Sequence, residues 1–158
     1  MKKFDLIEMK VPATVEYIGV VRLSLSGIAN RMGFSYEDIE DLKVAVSEAM
    51  TSVITHMGRH EEEGQMTIRF KVYEKQLEVM IAVSEANFGL DDGNEQAKVK
   101  EETGAMENVG EGGIGLFLMD ALMDDVQINN DNGIVIFMRK FLYEIEVGLD
   151  EDQISNTK

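Results

Sequence analysis

The spacing of apolar residues changes several times along this chain, and each change marks an element. "FDLIEMKVP" alternates loosely and stops at Pro12, the only proline, as an opening or edge strand would. From Thr14 to Met32 the residues Val15, Ile18, Val21, Leu25 and Ile28 recur at helical spacing, and Gly33 ends the run. Ser35 followed by Asp38 predicts the next helix start: a short hydroxyl can satisfy a free N–H, and an acid suits the positive end. That helix is expected to run to about Met57, with Ile39, Leu42, Val46, Ala49, Val53 and Met57 on its inner face. After the polar turn "GRHEEEGQ" the period drops to two. Met66, Ile68, Phe70 and Val72 alternate with Thr67, Arg69 and Lys71, and Leu77, Val79, Ile81 and Val83 repeat the pattern after a turn at Glu74 to Gln76. The pair reads as a hairpin.

Residues from about 85 to 110 are polar, dotted with glycine and without periodicity, which suggests a functional lid or an insertion. "GEGGIGLFLMDALMDD" then predicts a glycine turn and a third helix ending near Asp125. "VQINNDNGIVIFMRKFL" closes the fold as a second hairpin, with Asp131, Asn132 and Gly133 supplying the turn. The order β-α-α-β-β-lid-α-β-β implies an α+β fold, a two-layer sandwich of a mostly antiparallel sheet with three helices. We expect one domain over residues 1–142 and an acidic, flexible tail over 143–158.

The 158 residues suit a single core, and a hydrophobic fraction of 44% argues for a folded globule. No apolar run approaches the roughly 18 residues of a membrane span, and the N-terminus lacks the apolar stretch of a secretory signal. With no cysteine, a disulfide framework and a thiolate metal site are both excluded, which fits a cytoplasmic protein. The net charge of −15 argues against direct nucleic-acid binding and for solubility or a basic protein partner.

Two clusters carry candidate chemistry. Glu48, Ser52 and His56 are spaced four apart and share one helical face. Glu48 there is either a solvated helix carboxylate or a candidate general base beside a bound triphosphate. Gly110, Gly112, Gly113 and Gly115 allow close backbone approach just before a helix whose free N–H groups could face an anion. A tight turn rich in glycine would look the same. The segment is no P-loop, since it lacks G-K-[ST], and a lid rather than a strand precedes it.

The segments "IEMKVPATVEYIGVVRLSLSGIANRMGFSYEDIEDLKVAVSEA", from Ile7 to Ala49, and "EGGIGLFLMDALMDDV", from Glu111 to Val126, place these clusters in context. Over most of its length the chain resembles the anti-sigma-B factors of RsbW type, serine-protein kinases on the GHKL ATPase (Bergerat) fold of histidine kinases, gyrase B and Hsp90. The resemblance implies sequestration of a stress sigma factor, ATP- and Mg²⁺-dependent phosphorylation of a serine on an anti-anti-sigma antagonist, and a homodimer. It makes Glu48 the N-box glutamate, the candidate base, and the glycines the phosphate-side loop.

The same resemblance shows substituted positions. Ser52 stands where the family has a Mg²⁺-coordinating asparagine, and a hydroxyl is a poorer ligand for a cation that demands near-octahedral geometry. In "VSEANF", Val83 replaces the aspartate that accepts from the adenine amino group and Glu85 replaces a glycine, while Phe88 is kept. Arg139 stands before Lys140 where relatives have a threonine supporting the adenine contact. The resemblance also makes the first helix, with Arg22, the surface for sigma factor and antagonist. The expected function is therefore anti-sigma activity with weak or lost kinase activity; a working kinase with a rearranged Mg²⁺-ATP site is the alternative.

Overall fold

The computed structural model describes residues 3–59, 64–83, 113–130 and 133–143. Strand β1 (Asp5–Pro12) leads through a 3-10 turn (Val15–Tyr17) into α1 (Ile18–Met32) and α2 (Tyr36–Arg59). The hairpin β2 (Gln65–Val72) and β3 (Gln76–Val83) follows, then α3 (Gly113–Leu122) and the pair β4 (Asp125–Asn129) and β5 (Val135–Phe141). The strands form one sheet in the order β1-β2-β3-β5-β4 with every pair antiparallel. The expected α+β sandwich is the observed one. The lid (85–110), Asp131, Asn132 and the tail from 144 onward lie outside the described residues.

Strand parity divides the sheet into two chemically different faces. Ile7, Phe70, Val79, Met138 and Val126 stand opposite one another in turn, as do Met9, Ile68, Ile81, Ile136 and Ile128. Apart from the exposed Ile7 and the partly buried Met9 of the edge strand β1, these rows form the core with Val21, Leu25 and Ala29 of α1 and Leu42, Val46, Ala49 and Val53 of α2. The other face carries Leu6, Lys71, Glu78, Arg139 and Asp125 in one row, and Glu8, Arg69, Met80, Phe137 and Gln127 in the next. Successive side chains of a strand point to opposite faces, so apolar alternation in the sequence sets this division.

The helix boundaries follow local chemistry. Gly33 closes α1 at φ 101°, and its N–H donates to the carbonyls of Ala29 and Asn30. A side chain would be strained there, and glycine is not. Ser35 caps α2 as expected: its Oγ accepts from the Asp38 N–H at 3.0 Å. Two expected limits shift. The helix predicted from Thr14 begins as a 3-10 turn with Val15 exposed, and α1 proper starts at Ile18. The third helix stops at Leu122 rather than near Asp125, because Asp124 already donates its N–H to the Arg139 carbonyl and Asp125 opens β4.

Helix α2 lies between α1 and α3 and packs against β3 and β5. Lys140 fastens this layer to the sheet. Its Nζ donates to the Leu122 carbonyl at 2.7 Å, at the negative end of α3, and stands 4.0 Å from Asp38 in the first turn of α2.

Candidate functional site

The site grows from the middle of α2. Apolar residues at helical spacing turn one side of that helix into the core, and the neighbouring stripe carries Glu48 and, one turn on, Ser52. Glu48 is half-buried. It faces α3, where a Cβ built on Gly115 would fall 2.5 Å from Oε1 of Glu48, 3.5 Å from its Cδ and 3.6 Å from its Cβ. Two motifs some 67 residues apart, 115 minus 48, thus meet: the candidate base and the helix that the glycines open. Gly113 is the first residue of α3 and Gly115 lies in its first turn, while Gly110 and Gly112 are outside the described residues.

Ser52 is buried at 3% exposure. Val83 ends β3 on the core-facing side of the sheet, is only 5% exposed, and belongs to the hydrophobic core. It packs close to Gly133, where φ is 102° and an added Cβ would come 3.2 Å from a Val83 methyl. Glu85 and Phe88 lie outside the described residues, and His56 sits half-buried another turn along α2.

The resemblance set Arg139 at a substituted ATP-site position, and β5 puts Ile136 and Met138 toward the helices and Arg139 on the opposite face. There Nε donates to Glu78 at 3.3 Å and Nη1 to Asp125 at 2.6 Å, and the guanidinium lies 5.2 Å from the centre of the Phe137 ring. Glu78 is nearly buried, and Gln76 donates to the same carboxylate oxygen at 2.7 Å. Arg139 therefore neutralises a carboxylate that the sheet takes out of water. Replacing Arg139 by Met should cost about 1–3 kcal/mol in urea unfolding, since Glu78 loses its charge partner while Gln76 remains. Nucleotide titrations of the same variant should be unchanged.

Alternation in "GIVIFMRKF" already carried the parity that excludes Arg139 from the helix side. The meeting of Glu48 with Gly115 had no such signal, because spacing within one segment says nothing about which segments touch. Arg22 is exposed on α1, beside the exposed Val20 and Leu23.

A family model described as "Histidine kinase-like ATPase domain" matches residues 11–140. The chain is also 53% identical over 164 residues to the "Serine-protein kinase RsbW" of Oceanobacillus iheyensis, covering 100% of both chains. It belongs to this RsbW-type ATPase family. Family proteins of the same name from Bacillus subtilis and Bacillus cereus are 44% and 41% identical, covering 87% and 98% of this chain and 86% and 96% of theirs.

The family implies ATP and Mg²⁺ as ligands. Among the described residues no group of three or more His, Asp or Glu side chains could hold a metal ion. Ser52 offers a buried hydroxyl, and Val83 carries an aliphatic side chain with no polar atom. Nor is any described helix long and apolar enough to cross a membrane.

Proposed function

We propose that this protein is a cytoplasmic anti-sigma factor that sequesters a sigma-B-type sigma factor, with ATP-dependent serine phosphorylation of an anti-anti-sigma antagonist weak or lost. One observation carries the reading: similarity to a serine-protein kinase RsbW over the whole of both chains. The weakened kinase activity is argued from the resemblance, which sets the core residue Val83 at the family's adenine-acceptor position. Sequestration needs a surface, not a turnover. The exposed side of α1, with Arg22, Val20 and Leu23, is the candidate surface for sigma factor and antagonist, and a homodimer is the assembly we expect.

The alternative is an active serine kinase with a rearranged Mg²⁺-ATP site. The close approach of Glu48 to Gly115 in the first turn of α3 favours it. Phosphoryl transfer depends on positioning and charge neutralisation, so a site without its metal ligand should be slow.

Calorimetric titration with Mg²⁺-ATP should give a dissociation constant in the millimolar range, because two or three losses of about 1.4 kcal/mol each weaken a micromolar site that far. Incubation with the antagonist and labelled ATP should leave the antagonist unlabelled, and sigma factor should be retained on the immobilised protein without nucleotide. Micromolar binding with transfer to serine would establish the alternative. No sigma retention would leave only a shared fold.

A further inference from the structure

By sequence Gly115 reads as part of a glycine turn, yet it lies within α3, where glycine is a poor choice. A glycine inside a helix is less favourable than alanine, and nothing in its backbone here requires positive φ. The close approach of Glu48 supplies a different reason. The position is buried, and the atom nearest to a hypothetical side chain at 115 is the carboxylate oxygen of Glu48, closer than real Cβ contacts come. The Glu48 Cβ, by contrast, would sit at an ordinary 3.6 Å. The backbone of α2 therefore tolerates a methyl group at 115, and the carboxylate in its present pose does not.

No hydrogen bond or ion pair among the described residues holds the Glu48 carboxylate in that pose. A flexible glutamate with no polar anchor among the described residues takes the rotamer that its packing leaves open. We propose that Gly115 is a positioning residue for Glu48: the absent side chain is the seat in which the carboxylate lies against the first turn of α3. That Glu48 stands at the family's base position rests on the reading above; the seat itself rests on geometry alone.

Gly115→Ala is a selective probe, because what must move is the far end of a flexible side chain. The test uses the full-length protein labelled with carboxyl-¹³C glutamate, the Glu48 resonance being assigned by its loss in Glu48→Gln. In Gly115→Ala the Glu48 carboxyl resonance should leave its native position while the other glutamate resonances stay and the protein remains folded. Thermal unfolding gives the second readout. Alanine should raise Tm further in a Glu48→Ala background, where nothing must be displaced, than in the native background.

An unmoved Glu48 resonance, or an equal change of Tm in both backgrounds, overturns the proposal. So does a spectrum in which most glutamates shift together, since that reports general rearrangement. Neither readout needs nucleotide. If Mg²⁺-ATP transfer fails altogether, the kinase alternative falls while the seat is still judged by the resonance.

Discussion

The variant Ser52→Asn/Val83→Asp/Glu85→Gly should bind Mg²⁺-ATP at least about 100-fold more tightly than the native chain, tenfold being 1.4 kcal/mol. Each change returns one contact that the family resemblance assigns: a carbonyl for Mg²⁺, an acceptor for the adenine amino group, and bare backbone for nucleotide entry. The adenine acceptor matters most, because a buried amino group without a partner costs about 1–3 kcal/mol. The gain should come with a penalty that only the structure reveals. Val83 is packed in the core beside Gly133, so an aspartate there puts a carboxylate among apolar neighbours whenever nucleotide is absent.

The triple variant should therefore unfold at lower urea concentration than the native protein when apo, and recover part of that loss as Mg²⁺-ATP is added. Binding to the native state alone stabilises by linkage, so the recovery should track nucleotide concentration. Calorimetry gives the affinity and urea melts the linkage. A folded triple variant that binds no better than the native chain would mean that the site has departed from the family beyond these contacts.

Most of the fold was legible in the chain because burial imposes a period. The inner positions of α2 from Ile39 to Met57, and Ile68, Phe70, Val79 and Ile81 of the first hairpin, are buried as alternation and helical spacing required. Ser35 capped its helix because capping is local chemistry between residues three apart. Where the reading slipped, competition from elsewhere decided. The third helix ended early because Asp124 was claimed by the Arg139 carbonyl, a partner in another strand. Arg139, which resemblance set at an ATP-site position, stands on the face that the parity of its own strand gives it, away from the helices. The site was legible only in parts. Glu48 and the glycines could each be singled out, but their contact depends on how α3 lies across α2, which no local pattern encodes. Gly110, Gly112 and Glu85 lie outside the described residues, so their roles remain expectations from resemblance.

If sequestration is what this chain retains, its function should fail through the core before it fails through the nucleotide site. Phe70→Ala should be among the most damaging single substitutions. Phe70 is fully buried in β2, with Ile7 and Val79 opposite it on either side, and it is the largest of the fully buried side chains among the described residues. Truncation to alanine removes the ring's transfer free energy and leaves a cavity that a paired strand cannot collapse to fill, about 3–5 kcal/mol in all. For a domain of this length each kcal/mol moves Tm by about 2–4 °C, so the midpoint should fall by roughly 6–20 °C. Denaturation followed by circular dichroism measures it directly. Against a typical stability of about 5–15 kcal/mol, the variant should stay folded at low temperature yet lose sigma retention on warming, in step with its own melting curve. Glu48→Gln, which alters a half-buried carboxylate outside the core, should leave sigma retention intact at the same temperatures. Loss of retention in Glu48→Gln, with Phe70→Ala unaffected, would tie partner binding to the nucleotide site and overturn the division of labour proposed for this fold.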